Sequence, residues 1–248
     1  ERRDAHPLTR SPHHPLTDWT RRTMTDRSLD PPDSPPQPPV TFTWHMSLLF
    51  TALLLVFVYL PIDIELPASL FALMFSGVLL AVTFGVRTQH YERAVSVGLA
   101  LLSVVLSWAA TLIALPPTWL ELAAFGASAL FVAYAMGIIV FQLFRVERVS
   151  VNTIMAALSL YLLLGILGGL LYSILETAAP GSLGANVGQG LTHIERTVDL
   201  FPPLLYFSFT TLTTLGFGDL YPISAAARAL TILEAVAGQM YLVVMVAL

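Results

Sequence analysis

From Thr43 onward the sequence is broken into long stretches without a charged side chain, and this limits the possible folds more than any other feature. Uncharged runs occupy residues 46–60, 66–86, 94–115, 122–144 and 149–175. A sixth, 226–248, carries only Arg228 and Glu234. Crossing a bilayer as a helix takes about 17–25 apolar residues, and five runs are long enough. The first reaches that length if Trp44 and Tyr59 sit at the two interfaces as anchors. Backbone in lipid must satisfy its own hydrogen bonds, so helix is the expected structure. A membrane barrel would show short alternating segments, and these runs do not alternate. Only 11% of residues are charged, against about 25% in an ordinary soluble domain. The expected fold is therefore an all-α membrane protein with six transmembrane helices.

Residues 1–42 read differently. They contain six Arg, six Asp or Glu, and nine of the seventeen prolines. With few apolar side chains, nothing offsets the entropy of ordering them, and the reading is a disordered cytoplasmic tail. A cleaved signal peptide fits poorly, because the apolar run comes late and no small-residue cleavage site follows it. Net charge is −4, and the basic residues, all Arg, are scattered. That excludes an electrostatic footprint for nucleic acid. With no cysteine, disulfides, thiolate metal sites and cysteine nucleophiles are excluded.

Arginine placement sets the expected orientation. Arg27 precedes the first run, Arg87 and Arg93 lie between the second and third, and Arg145 and Arg148 between the fourth and fifth. The opposite side carries the acidic loops 61–67 and 115–121, with Arg196 and Arg228 as its only basic residues. The positive-inside rule puts the N-terminus in the cytoplasm, and six crossings return the C-terminus there. The expected location is a cell (plasma or inner) membrane. The fourth run contains no Arg. A voltage sensor needs several, since one charge moved through 100 mV yields only about 2.3 kcal/mol, so little or no voltage dependence is expected.

Between the fifth and sixth runs lies an outer segment of two halves. Residues 177–199 are polar and Gly-rich, as in a surface loop. Residues 199–222 read DLFPPLLYFSFTTLTTLGFGDLYP. Asp199 suits a helix N-cap, and Pro202 and Pro203 suit a first turn. The stretch 204–213 is apolar and aromatic but too short to cross, as expected of a re-entrant helix held at membrane depth by protein or water.

The run Thr213-Thr214-Leu215-Gly216-Phe217-Gly218-Asp219, followed by Leu-Tyr-Pro, resembles the TVGYGD selectivity-filter signature of potassium channels. The resemblance extends over residues 149–248 as outer helix, pore helix, filter and inner helix; 43–148 form a four-helix membrane module matching no motif. It implies a pore domain selective for potassium ions, with no organic cofactor. A filter replaces a cation's hydration shell with oxygens. Consecutive carbonyls face one axis when residues alternate between ordinary and left-handed dihedrals, which Gly216 and Gly218 tolerate cheaply. The carbonyls of Thr214, Leu215, Gly216 and Phe217, with the Thr214 hydroxyl, would then stack as oxygen rings that ligate the ion. The short helix would aim the negative end of its dipole at the cavity below. One chain supplies a quarter of each ring, so the expected partners are three more copies, in a homotetramer surrounded by lipid.

Leu215 stands for Val and Phe217 for Tyr, which removes a hydroxyl that could tie the filter to its pore helix. Thr210 sits where some relatives have a carboxylate beside the filter Asp. Thr210, Thr213 and Asp219 are the expected filter supports. Gly238, where such channels place a hinge glycine, is either a gating hinge or a close-packing position. Glu234, one turn earlier, either faces the cavity and attracts cations or buttresses the pore helix. His193 in the outer loop reads as an ordinary loop residue.

Other classes fit less well. Gly126-Ala127-Ser128-Ala129 resembles the G-x-S motif of rhomboid proteases, but no His lies in any run after the first to act as base. There is no Walker loop, and Tyr221 occupies the last glycine position of a GxGxxG. Potassium transporters related to channels use four filter-like loops per chain. A non-selective monovalent cation channel is the alternative function, and enzyme activity is not expected.

Overall fold

In the computed structural model of this 248-residue chain, the residues described are 73, 76–79, 90–113, 116–144, 151–185 and 201–247. The tail 1–42, nearly all of the first two runs, Asp199, His193 and the arginine flanks at 145 and 148 lie outside them. The order of elements is α1 (His90–Leu112), α2 (Thr118–Leu143), α3 (Val151–Ala178), β1 (Leu183–Ala185), α4 (Phe201–Leu212), β2 (Leu220–Pro222) and α5 (Ala225–Ala247). Among the described residues, four helices are long and apolar enough to cross a membrane: Glu92–Leu112, Thr118–Leu143, Thr153–Ala178 and Ala225–Met245. They correspond to the third to sixth apolar runs.

The ends of these helices follow local rules. Pro117 precedes α2 in extended geometry, with φ −69° and ψ 144°, and its carbonyl accepts the Leu120 N–H at 2.8 Å. Beyond α3 the chain turns at Gly181, whose φ of 84° lies in the left-handed region. The Glu176 carboxylate closes that turn, accepting the N–H of Gly181 at 2.6 Å and that of Leu183 at 3.0 Å. Ser224 caps α5, its Oγ accepting the Ala227 N–H at 3.1 Å, a bond of the usual N-cap kind.

Helix α3 is the centre of the packing. Phe131 of α2, Leu163, Ile166 and Leu170 of α3, and Leu205 and Leu212 of α4 form one buried cluster. Val78 and Leu79, ahead of α1, join it, and Trp108 Nε1 donates to Ser76 Oγ at 3.2 Å. Three glycines on one face of α3 receive α4. A Cβ on Gly165 would stand 2.6 Å from Phe209 Cζ, one on Gly168 would stand 2.5 Å from Ser208 Oγ, and one on Gly169 would stand 2.9 Å from Leu205 Cα. Small residues at such spacing let helix backbones approach closely in a membrane. This i, i+3, i+4 glycine stripe is carried by the run GILGG.

After α4 the chain runs through residues 213–219 and returns as β2, which pairs antiparallel with β1 in the register Leu183↔Pro222, Gly184↔Tyr221, Ala185↔Leu220. The Ser182 carbonyl accepts the N–H groups of Ile223 and Ser224 at 2.8 and 3.1 Å. The strand after the loop is thus tied to the end of α3.

Candidate functional site

Helix α4 is 12 residues long and lies between α3 and α5 in the chain. It begins at Phe201, so Pro202 and Pro203 fall in its first turn, where missing N–H donors cost nothing. Phe201 stacks on Phe125 with centroids 6.2 Å apart, and Phe207 meets Tyr172 edge-on at 4.9 Å. Rings thus hold the helix both at its start and further along its length.

The loop backbone has a regular pattern. Thr214, Gly216 and Gly218 have φ of 59°, 52° and 77°, whereas Leu215 and Phe217 are not in the positive region. Left-handed and ordinary residues therefore alternate over five positions, the condition for successive carbonyls to face one side. The alternation begins one step earlier than the glycines suggest. Thr214 is β-branched, and a β-branched residue at positive φ is a strained outlier.

The loop's N–H groups turn back onto α4. Thr213 N donates to Phe209 O at 3.0 Å, Thr214 N to Thr211 O at 3.0 Å, and Leu215 N and Gly216 N to Thr210 O at 2.8 and 3.1 Å. Thr213 Oγ1 also donates to Phe209 O at 2.7 Å. The last α4 carbonyl, on Leu212, accepts the Tyr161 hydroxyl at 3.3 Å. The amide protons of the loop and the carbonyl end of the helix thus satisfy each other. Residues 213–218 are exposed in the single chain.

The expected supports are placed as follows. Thr210 is buried, and its hydroxyl donates to Phe207 O at 2.9 Å within its own helix; its contribution to the loop is its carbonyl. Asp219 is half-buried and accepts a hydrogen bond from the Tyr206 hydroxyl. Tyr206 was not expected from the sequence. It lies one helical turn before Thr210, and the position of a ring tip relative to a loop depends on how the chain folds back. Gly238 is buried, and a Cβ there would overlap the Leu212 carbonyl oxygen and stand 2.9 Å from Leu212 Cδ1. Helix α5 runs unbroken through it.

Glu234 is 6% exposed and lies between three helices. Tyr172 of α3 donates to its Oε2 at 2.7 Å, and Ser208 of α4 is hydrogen-bonded to its Oε1. The side chain thus faces α3 and α4 of its own chain. Tyr172 and Ser208 were also missed: a phenol and a serine in apolar helices carry no signal of which face they occupy. Opposite this packed face, α5 exposes Ile232, Val236, Met240 and Val243, a continuous stripe at helical spacing.

Ser128 of the G-x-S alternative is buried in α2 and donates to Ala124 O at 2.8 Å, within its own helix. Among the described residues, no three His, Asp or Glu side chains converge to hold a metal ion.

Residues 160–248, from α3 to the end of the chain, match a family model described as an ion channel. No curated protein and no solved structure matches the chain.

Proposed function

We propose that this chain is the subunit of a potassium-selective channel whose pore is built by four copies of residues 149–248. The premise is the ion-channel match over 160–248. The observation that carries the finer reading is the alternating backbone of 214–218, with its N–H groups held by α4. Such a backbone presents carbonyls where a cation must shed water, and rings of carbonyls favour potassium when they balance its hydration. A single protomer cannot surround an ion. The exposed loop and the exposed stripe of α5 fit burial against, and around, a pore shared by further copies.

In this reading Thr214, Leu215, Gly216 and Phe217 ligate the ion through main-chain oxygens, with the Thr214 hydroxyl closing the inner ring. Thr210, Thr213 and Asp219 support the filter. Transport is passive, needs no organic cofactor and involves no chemical reaction. The chain crosses a cell membrane six times with both termini in the cytoplasm. Helix α2 contains no Arg, so opening is not driven by voltage.

The test is ion flux into liposomes containing purified full chain, comparing potassium, rubidium and sodium, with barium as blocker. Potassium and rubidium should pass, sodium should be excluded, and barium should block. Gly216→Ala should abolish flux, because L-residues pay about 1–2 kcal/mol in the left-handed region and the carbonyl would reorient. Equal sodium and potassium flux would instead identify a non-selective cation channel. A monomer or dimer in the membrane would sink the shared pore.

A further inference from the structure

The buried cluster around Glu234 contains more hydrogen-bonded oxygen pairs than its hydroxyls have protons. Ser208 Oγ lies 2.6 Å from Gly165 O and is also hydrogen-bonded to Glu234 Oε1. A serine hydroxyl has one proton to give. If Glu234 were ionised, both neighbours of Ser208 Oγ would be pure acceptors, and one of these close pairs would have no hydrogen between its oxygens. An un-ionised carboxyl supplies the missing proton.

With that proton present, the donors and acceptors form one directed chain. Tyr172 donates to Glu234 Oε2 at 2.7 Å, Glu234 Oε1 would donate to Ser208 across their close contact, and the Ser208 proton would then be free for Gly165 O. The Thr231 hydroxyl, which donates to Ala227 O at 2.8 Å, is a second, longer partner of the Tyr172 phenol at 3.2 Å. Ser208 belongs to the pore helix, so the chain grips α4 from behind. Burial disfavours a charge here. Among the described residues, the titratable groups facing Glu234 are the phenols Tyr172 and Tyr161 of α3. Among the described residues, helix α4 contributes the neutral Ser208 and no cation faces the carboxyl.

We propose that Glu234 is a positioning residue for the filter, and that it seats the pore helix as a neutral acid by donating its own proton to Ser208. This rests on the channel reading and deepens it: potassium conduction should depend on a proton that never enters the pore. The packed state binds this proton and the loosened state does not, so the arrangement is favoured on the acid side and lost as pH rises.

The experiment uses the full chain in liposomes, with infrared absorption and potassium flux followed against pH for wild type, Glu234→Gln and Ser208→Ala. Gln places an N–H where the acid has its O–H and keeps an acceptor for Tyr172. Wild type should show a carboxylic-acid C=O band that is lost in Glu234→Gln and shifted in Ser208→Ala. Its flux should fall about tenfold or more at alkaline pH, in step with the band, as expected for losing one buried hydrogen bond to an ionisable group. Glu234→Gln should conduct with no such fall. If Glu234→Gln does not assemble, the band and its shift in Ser208→Ala still decide the matter. No acid band in the assembled wild type would overturn the proposal, and so would a flux profile in Glu234→Gln that falls like the wild type's. A band present with no potassium flux at any pH would leave the proton chain standing and remove the channel reading.

Discussion

The carbonyl oxygen of Leu212, the last residue of α4, rests against Gly238 in the middle of α5, where any β-carbon would overlap it. The contact joins the end of α4 to α5 without a side chain between them. It gives Gly238 a packing role that a hinge alone would not require.

Gly238→Ala distinguishes the two by sign. In a helix interior, alanine for glycine gains up to about 1 kcal/mol. Overpacking against a backbone atom costs about 1–3 kcal/mol, and backbone cannot swing aside as a side chain can. The expected result is a net loss of about 1–2 kcal/mol in thermal unfolding of the lipid-embedded protein. A gain in stability would show that α4 does not depend on the close approach.

Tyr206 and Asp219 should behave as a coupled pair. The phenol donates to the carboxylate at the point where loop 213–218 meets β2. Tyr206→Phe and Asp219→Asn should each lower the potassium-over-sodium flux ratio, and the double variant should be little worse than either single one. A thermal double-mutant cycle should return a coupling of about 0.5–1.5 kcal/mol. Additive losses would show that the two residues act separately.

Glu176→Gln tests the turn after α3. Each carboxylate oxygen accepts one N–H, from Gly181 and from Leu183. A glutamine has one acceptor oxygen, so one of those N–H groups would face an amide donor. The expected cost is about 1–3 kcal/mol, read as faster hydrogen exchange at Gly181 and Leu183 and through the β1–β2 pairing. Unchanged exchange would mean that the turn holds without the carboxylate.

Thr214 combines two roles that substitution can separate. Thr214→Ser keeps the hydroxyl and removes the β-branch from a residue at positive φ; Thr214→Ala removes the hydroxyl. If the hydroxyl lines an ion ring, the alanine variant should pass potassium about tenfold more slowly than the serine variant, the equivalent of about 1.4 kcal/mol. Equal rates would assign Thr214 to backbone geometry alone.

Much of this protein is determined by constraints that act locally. Lipid forces backbone to pair with itself, so uncharged runs of sufficient length become helices, and α1, α2, α3 and α5 follow the third to sixth runs. Positive φ is cheap only for glycine, so the residue types at 216 and 218 are enough to mark an unusual backbone there. Pro202 and Pro203 mark a helix start for the same kind of reason.

Only the tertiary structure decided the rest, because a helix that is apolar on every side does not reveal which face meets its neighbours. The burial of Glu234 against Tyr172 and Ser208, the seating of α4 on Gly165, Gly168 and Gly169, and the reach of Tyr206 to Asp219 all depend on how helices are rotated and where the chain doubles back. The left-handed Thr214 belongs with them: its own side chain argues against that conformation, and the hydrogen bonds from Thr214, Leu215 and Gly216 to the end of α4 impose it.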